Sequence, residues 1–292
     1  MIHLLDKYFT TTFFAPVARR WANRGGDIAI PVLMYHSVSN EPETEAHPYF
    51  WINTTPERFD SQMRFLKENN YDVISLSHAV EFLYGAGNKS DKHVSYVVIT
   101  FDDGFRDFYL NAFPILQKYG FTATVFLPTE YITDHTKKMA GKEHLSWDEV
   151  AELYNHGISF GSHTANHPEL RSLNRDDVNF EIRHSKQIIE SKIGAPVDSF
   201  SYPFAFPEED KELTSYLTET LASSGYKYGV STRIGRASVK DPVYFLKRLP
   251  VNSRDDLAFF KAKLEGGYDW LHWIQLTSKV IRAKLRNGKK RN

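Results

Sequence analysis

Short apolar runs and amphipathic segments alternate along most of this 292-residue chain, and this alternation limits the choice of fold more than any other feature. The runs have the length and composition of buried strands, and they cover residues 30–34, 71–76, 96–100, 122–127, 158–161, 199–202 and 228–230. The helical segments between them begin at capping residues such as Thr55, Ser146 and Asn174. Strands that alternate with helices form parallel sheets. We therefore predict an α/β fold, a distorted (β/α) barrel of about seven parallel strands, with a small open sheet as the alternative.

The pattern divides the chain into three parts. Residues 28–266 are predicted to form one domain, because no low-complexity linker interrupts them. Residues 1–27 form an amphipathic segment with Leu5, Phe9, Phe13 and Val17 on one helical face, followed by Arg19, Arg20 and Arg24. Residues 267–292 form a basic amphipathic tail, in which no acidic residue follows Thr277. Helical extensions are therefore expected at both ends of the barrel.

The charge is balanced overall but uneven along the chain. The 36 basic and 36 acidic residues cancel, so the composition gives no reason to expect a nucleic-acid partner. The absence of cysteine excludes disulfides and thiolate metal ligands. The two basic, apolar ends fit peripheral contact with an anionic membrane, or equally docking onto the domain itself. Without a recognisable secretory signal, we expect a cytoplasmic protein, peripheral at the inner membrane face, with an exported enzyme as the alternative.

Chemically useful residues directly follow four of the predicted strands. They are Asp102 and Asp103, His163 and His167, His36, and Pro203 with Phe204. In parallel α/β folds, the carboxyl ends of the strands form the functional face. We therefore expect these four segments to meet at one end of the barrel.

Within this set, a histidine pair and a carboxylate are the residue types that bind a divalent metal. His163 and His167 are four residues apart, which places both imidazoles on one side of a turn, although such a pair is also common on polar surfaces. The adjacent carboxylates of Asp102 and Asp103 repel each other unless a positive charge lies beside them. Two histidines and one carboxylate leave an open coordination position, as catalytic sites require. We predict a divalent metal on Asp103, His163 and His167, with Asp102 free to accept a proton.

These residues stand in motifs that resemble a known family. Thr100-Phe101-Asp102-Asp103-Gly104 resembles the first motif of the polysaccharide deacetylases (the NodB-homology, or carbohydrate esterase family 4, group), and His163-Thr164-Ala165-Asn166-His167 resembles the second. Further similar segments follow in the family's order, so that the resemblance spans residues 30–251. It implies a distorted (β/α) barrel and metal-assisted hydrolysis of an N-acetyl amide. It also implies Asp102 as the general base and Asp103, His163 and His167 as ligands, usually of zinc, with cobalt or nickel as substitutes.

Two motifs depart from the family pattern. Ser201 stands where Arg-x-Pro-Tyr has the arginine that pairs with the base, and the late Leu-x-His motif that supplies the acid is absent after Val251. Both departures resemble the circularly permuted poly-N-acetylglucosamine deacetylases, in which the acid comes from an N-terminal strand. That resemblance implies His36 as the general acid. Arg106 and Arg248 are both candidates to replace the missing arginine.

The predicted function is a metal-dependent hydrolase that removes N-acetyl groups from an N-acetylhexosamine-containing glycan or glycan precursor through metal-activated water. A backbone N–H near Tyr202 is expected to stabilise the oxyanion. The residues expected to contact the sugar, with core packing as the alternative for each ring, are Tyr35, Trp147, Tyr202, Pro203 and Phe204. The other functions considered are a glycan-binding domain without catalysis, which the missing arginine favours, and a deacetylase of a non-glycan amide.

Overall fold

The computed structural model describes residues 2–22, 28–42, 51–85, 95–133, 138–139 and 141–289. The strands are β1 (Ala29–Ile30), β2 (Val32–Tyr35), β3 (Ser37–Val38), β4 (Asn53–Thr54), β5 (Tyr71–Val73), β6 (Ser95–Phe101), β7 (Thr124–Leu127), β8 (Lys138–Met139), β9 (Lys142–Glu143), β10 (Ser159–Ser162), β11 (Ser199–Ser201), β12 (Tyr228–Ile234), β13 (Ala237–Ser238) and β14 (Leu246–Pro250). The α-helices are α1 (Ile2–Phe9), α2 (Ala15–Ala22), α3 (Pro56–Glu68), α4 (Leu76–Tyr84), α5 (Phe113–Tyr119), α6 (Trp147–Asn155), α7 (Arg175–Ile193), α8 (Lys211–Ser223), α9 (Leu257–Leu264) and α10 (Leu271–Lys289). Short π-helices cover Thr10–Phe14 and Phe108–Ala112, and a 3₁₀ turn covers Leu170–Ser172.

Seven strands close into a parallel barrel in the order β2, β14, β12, β11, β10, β7 and β6, and β6 pairs with β2 to complete the ring. The short strand β5 adds to β6 outside this ring. The register of β2 against β6 sets Tyr35 beside Phe101, so that the two strands end at the same level. The predicted barrel is therefore confirmed, and the open-sheet alternative is wrong.

Alternate residues of the barrel strands enter two apolar clusters. Leu33 and Ile99 belong to the larger cluster, which includes residues of the surrounding helices and lies between them and the strands. Val98 belongs to the smaller cluster, which fills the barrel interior. Because side chains alternate along a strand, Thr100 and Asp102 continue the inward series begun by Val98. The carboxylate of Asp102 therefore lies at the open end of the barrel.

Helix ends follow local sequence signals closely. Thr55, Ser146 and Asn174 all cap helices, and Ser146 completes a capping box with Glu149. Gly194 ends α7 in the left-handed conformation that favours glycine. The sequence pattern does not predict strand β14, because two basic residues, 247 and 248, interrupt its apolar run.

The terminal helices contact the barrel domain. The N-terminal helical segment packs on the region from 256 to 270, where Lys7 pairs with Asp256. Helix α10 lies along β12, where the Gln275 side chain bonds to the backbone of residues 232 and 234. Residue 27 at the predicted boundary, Arg24, and the side chains of Leu5 and Arg19 fall outside the described residues. Across the described chain, no helix combines the length and the apolar character that a bilayer crossing requires.

Candidate metal centre and active site

The four predicted segments meet at the carboxyl end of the barrel. Asp103 lies directly after β6, and His163 directly after β10. The carboxylate oxygen Oδ1 of Asp103 lies 3.4 Å from Nε2 of His163 and 3.2 Å from Nε2 of His167. One ligand atom from each of the three residues lies within 4.8 Å of the others. Among the described residues, this is the group of histidines and acids that has the spacing of a metal site.

Two observations test whether a cation fits these residues. Asp103 Oδ1 is buried and receives no hydrogen bond from any described residue, although two imidazole nitrogens face it. The Nδ1–H of His163 donates to the carbonyl of Ser201 at 2.8 Å, which fixes the tautomer and leaves Nε2 as a lone-pair donor. An oxygen without a partner between two nitrogen donors is the arrangement that a divalent ion completes. The three residues therefore fit the metal that the sequence predicts.

The electrostatics keep the central carboxylate ionised. Burial raises the pKa of Asp103, but the facing imidazoles of His163 and His167 outweigh it, and the pKa lies well below its ordinary value. Burial lowers the pKa of His163, but the nearby carboxylates of Asp102 and Asp103 outweigh it and raise the pKa above its ordinary value. In the free protein, this electrostatic balance favours an anionic Asp103 facing imidazoles.

Asp102 makes a separate, buried ion pair. The guanidinium of Arg248 on β14 donates from Nη1 to Oδ1 and from Nη2 to Oδ2, both at 2.7 Å. Ser201, at the position of the family arginine, also donates to Asp102 Oδ1, and its hydroxyl accepts from Arg248. Burial raises the pKa of Asp102, but the charge of Arg248 outweighs it and holds the pKa below its ordinary value. A small residue at 201 thus shares the carboxylate with an arginine from another strand.

Of the two candidate arginines, only Arg248 reaches Asp102. Arg106 instead pairs with Glu149 at 2.8 Å and with Glu143 at 3.4 Å. The suggestion that Arg106 lies against Asp102 is therefore wrong. Arg106 turns outward with its loop and joins the start of α6 to the preceding hairpin.

Backbone strain is concentrated at this site. Five described non-glycine residues have positive φ angles, and four of them are Asp103, Thr164, His167 and Phe204, at 55–69°. Side chains with a Cβ disfavour this conformation, so that the surrounding structure must hold it. Three of the four lie in the two segments that carry the metal-site residues. The ligand geometry is therefore imposed by the fold rather than by local preference.

Glu181 of α7 holds the histidine loop in this conformation. One of its carboxylate oxygens accepts hydrogen bonds from the backbone N–H groups of Ala165 and Asn166, both at 2.8 Å, and the other accepts from the Asn166 side chain. The Thr164 hydroxyl accepts from the N–H of His167 and closes the loop from inside. These bonds fix the separation of the two histidines.

His36 joins the same site from the end of β2. Its imidazole is half-buried, and burial lowers its pKa below the ordinary value, while the charges of Asp103 and Asp102 act in the opposite direction. Asp107 fixes the adjacent backbone, because its carboxylate accepts from the Ser37 hydroxyl and from the Val38 N–H. The structure therefore brings His36 into the electrostatic field of the proposed metal ligands.

The aromatic predictions divide between core and surface. Tyr35 is fully buried outside the barrel with its hydroxyl bonded to Gln62, and Trp147 packs in the same core cluster. Tyr202 is also buried, and its N–H donates to the carbonyl of Val230 within the sheet. The prediction that these three rings stack on the sugar is therefore wrong, because the rings are packed in the core. The prediction that the Tyr202 amide stabilises the oxyanion is also wrong, because this amide donates within the sheet. Pro203 is buried as well.

Phe204, unlike the three buried aromatic residues, lies at the protein surface. Its ring is 54% exposed and lies 4.8 Å from the imidazole of His167, measured between ring centroids. Among the described residues, none accepts a hydrogen bond from its backbone N–H. Phe204 is thus the predicted aromatic residue that the fold leaves at the rim of the site.

Two residues of the site had weak sequence signals. Glu181 lies within an ordinary amphipathic helix, and only its burial and its three hydrogen bonds distinguish it. Arg248 was one of two candidates because the strand that carries it lacked a continuous apolar run. The buried residues Leu246 and Leu249 flank the basic pair, and this interrupted apolar run is the signal that would have helped.

The fold and the site together define a parallel-barrel protein in which two histidines and one carboxylate, with the spacing of a metal site, lie beside a buried Asp–Arg pair. A family model described as polysaccharide deacetylase matches residues 89–228. The Bacillus subtilis (strain 168) protein YxkH, whose name places it among the polysaccharide deacetylases, is 31% identical over 248 residues, which cover 84% of this chain and 79% of that protein. This chain belongs to the polysaccharide deacetylase family. Both His36 and Arg248 lie outside the matched 89–228 segment.

Other relatives agree with this assignment. The poly-β-1,6-N-acetyl-D-glucosamine N-deacetylase of Staphylococcus aureus (strain MSSA476) is 24% identical over 240 residues, covering 75% of this chain and 78% of that protein. The Streptococcus pyogenes deacetylase PplD, solved in complex with acetate, has a TM-score of 0.69 and 26% identity, covering 82% of this chain and 99% of that chain. IcaB from Ammonifex degensii has the same fold, with a TM-score of 0.66, 20% identity, and coverage of 83% and 98%.

Proposed function

We propose that this protein is a metal-dependent N-deacetylase that acts on an N-acetylhexosamine-containing glycan or glycan precursor. The observation that carries the proposal is the complete set of Asp103, His163 and His167 beside an ionised Asp102. The name of the Staphylococcus aureus relative, a poly-β-1,6-N-acetyl-D-glucosamine N-deacetylase, supports this class of substrate.

A divalent ion, zinc first and cobalt or nickel as substitutes, would be held by Asp103, His163 and His167. When bound, such an ion supplies Lewis acidity, which makes water a better acid and polarises an amide carbonyl. His163 binds through Nε2, because its Nδ1–H is engaged by the Ser201 carbonyl. The hydrogen bond from the His167 N–H to the Thr164 hydroxyl would help to hold His167 in position for the ion.

Asp102 is proposed as the general base. Its lowered pKa keeps it ionised near neutral pH, so that it accepts a proton from the attacking water. The bidentate contact with Arg248 fixes the carboxylate plane. The missing motif arginine, which favoured a binding domain without catalysis, thus has a replacement in contact with the base.

His36 is proposed as the general acid. An amine leaves an amide carbon readily only when it is protonated, so that a donor must reach the substrate nitrogen. The burial that lowers the pKa of His36 makes its protonated form a readier donor. Asp107, through Ser37 and Val38, supports the backbone that carries this ring.

The N–H of Phe204, which donates to no described residue, is proposed to stabilise the oxyanion. Its positive φ turns this segment away from the sheet pairing that engages the preceding Tyr202 amide. Backbone donors aimed at a developing negative charge lower the barrier without reorganisation. The exposed Phe204 ring is also positioned for contact with an apolar sugar face.

Acetate release from β-1,6-linked N-acetylglucosamine oligomers, measured with and without chelator, tests the proposal. We expect Asp102→Asn to lose activity by at least about 10³-fold while it retains metal, since general-base catalysis contributes 10²–10⁴-fold. The matched control, Asp72→Asn at an exposed position, should retain wild-type activity. Metal content after His163→Ala, against His78→Ala on the surface, tests the ligand assignment. Failure of metal-loaded protein to release acetate from any N-acetyl glycan would contradict the proposal.

His36→Ala tests the acid separately. We expect a loss of about 10²-fold or more in kcat. Binding of metal should be unchanged, because His36 is not a proposed ligand. A rate within a few-fold of wild type would show that another group protonates the amine.

A further inference from the structure

Within the N-terminal helical segment, the described side chains of residues 6–18 are oriented opposite to those of an ordinary surface helix. Its polar residues Asp6 and Thr10 are buried against the domain. The residues that it exposes to solvent include five large apolar ones, Tyr8, Phe9, Phe13, Phe14 and Val17, at 37–55% exposure. An amphipathic helix on a water-facing surface normally buries the apolar stripe. This inverted orientation leaves Tyr8, Phe9, Phe13 and Val17 at the protein surface, where the first three rings contact one another.

Specific polar contacts hold the helix in that orientation. Tyr268 donates its hydroxyl to Asp6, and the indole N–H of Trp270 donates to the Thr10 hydroxyl at 3.2 Å. Ala15 packs so closely on Gly267 that a Cβ at 267 would lie 2.8 Å from the Ala15 methyl carbon. A rotation of the helix that buried the aromatic face would break these contacts and leave buried polar groups without hydrogen bonds. The exposed face is therefore a fixed feature of the fold.

Helix α10 also exposes large apolar residues. His272, Gln275 and Lys279 face the barrel, whereas Trp273 and Ile281 are 69% and 58% exposed. The two helices meet where the ring of Phe14 stacks on that of Trp270 at 4.7 Å. We define the terminal surface as the outward residues Tyr8, Phe9, Phe13, Phe14, Val17, Trp273, Ile274 and Ile281.

The sequence around both terminal helices is basic. Between Tyr8 and Gly26 the sequence has Arg19, Arg20 and Arg24 and no acid. From Thr277 to Asn292 the basic residues, again without an acid, are Lys279, Arg282, Lys284, Arg286, Lys289, Lys290 and Arg291. Exposed aromatic and aliphatic residues flanked by basic ones are the composition that binds anionic bilayers, where each basic residue near the lipid contributes about 1 kcal/mol.

We propose that the terminal surface docks on an anionic lipid bilayer, with its aromatic rings at the headgroup level. A protein partner would be expected to match this face with acidic groups or with a shaped pocket, whereas a bilayer requires only apolar depth and diffuse negative charge. The two helices bind as one unit, because Phe14 and Trp270 join them. This docking does not depend on the proposed chemistry.

A short chain of hydrogen bonds connects the barrel-facing side of α10 to the rim of the active site. Gln275 of α10 donates to the Thr232 carbonyl, and the Thr232 hydroxyl donates to the carbonyl of Phe204. Lys279 donates to the carbonyl of Phe206 in the same loop. If the proposed deacetylase function holds, we infer that the substrate is a glycan held at the membrane. The rim of the active site would then contact this glycan close to the lipid.

Cosedimentation of the full chain with vesicles tests the docking. Phosphatidylcholine vesicles with and without phosphatidylglycerol serve as probes, and binding should require the anionic lipid. The variant Phe9→Ser/Phe13→Ser/Trp273→Ser should bind at least about ten-fold more weakly, because three large apolar side chains are lost from the bilayer contact. The matched control, Leu110→Ser/Phe180→Ser/Val239→Ser, changes equally exposed apolar residues elsewhere and should bind like wild type.

The outcomes separate docking from folding and from catalysis. The exposed positions bear no core packing, so that both triple variants should melt like wild type and release acetate from soluble oligomers at the wild-type rate. A charge variant, Lys284→Glu/Arg286→Glu/Lys289→Glu, should also lose binding to anionic vesicles. Absence of wild-type binding, equal binding of the Phe9/Phe13/Trp273 variant, or a wild-type dimer that this variant converts to monomer without lipid would overturn the proposal.

Discussion

Replacement of Arg248 by methionine should destabilise the protein strongly, since it leaves a buried carboxylate without its counter-charge. Arg248 is 1% exposed and donates five hydrogen bonds, two of them at 2.7 Å to Asp102. Removal of one partner of a buried ion pair costs about 3–5 kcal/mol. Methionine retains most of the side-chain length, so that little of this loss comes from a cavity. We expect the free energy of unfolding to fall by about 3–5 kcal/mol near neutral pH.

The pH dependence of this loss has a definite sign. In the wild type, the lowered pKa of Asp102 contributes stability above the unfolded-state value of about 3.9, and that contribution is lost as the pH falls through the lower folded-state pKa. In Arg248→Met, burial is opposed only by the charges of His163 and His36, and we expect it to raise the pKa of Asp102 above the unfolded-state value. The protonated form is then favoured by folding, so that the variant loses stability as the pH rises through this higher pKa. The difference from wild type should shrink as the pH falls towards 4.

Urea unfolding of metal-free protein measures both effects. The double variant Asp102→Asn/Arg248→Met supplies the control, because it removes the charge that Arg248→Met leaves unpaired. It should recover about 2 kcal/mol or more relative to Arg248→Met alone. A cost below about 1 kcal/mol for Arg248→Met, or no recovery in the double variant, would refute the reasoning.

Two further perturbations test the support of the site. Glu181→Gln removes an acceptor and a charge from the histidine loop and should weaken zinc or cobalt binding by about 10- to 100-fold in calorimetric titration. The control variant Glu169→Gln, at an exposed position, should bind the metal normally. Equal affinities of the two variants would show that Glu181 does not position the ligands. Gly161→Ala should lower the free energy of unfolding by about 1–3 kcal/mol or more in urea, because its Cβ would lie 2.4 Å from the Phe126 ring. Ser159→Ala in the same strand is the control, and an unchanged midpoint for Gly161→Ala would contradict the packing argument.

The sequence alone predicted the class of fold and the proposed ligands well. Local signals are short-range: a capping box such as that of Ser146 needs only neighbouring residues, and buried strands have β-branched runs of characteristic length. The rule that functional groups follow parallel strands then brought Asp103 and His163 together before any contact was known. Their contact distances agree with that expectation.

The pattern was least informative where a side chain has two plausible environments. Tyr35 is the last residue of β2 and His36 follows it, yet the Tyr35 ring faces α3 and the core, because adjacent residues of a strand point to opposite faces. Trp147 is likewise an apolar residue at the start of a helix. The neighbouring sequence does not show whether its ring lines a substrate groove or packs in the core. Burial separates these cases, and burial depends on all the elements packed around a residue.

The sequence by itself determined the alternation of elements, the helix caps and the residues available for metal binding. Only the tertiary structure decided that Arg248 rather than Arg106 reaches Asp102, since the contact spans 146 residues along the chain. Tertiary structure also decided the left-handed backbone of Asp103 and His167, which local preference disfavours and surrounding hydrogen bonds impose. Short-range rules act through a few bonded neighbours, whereas charge pairing and strain are set by strands that the closed barrel brings together.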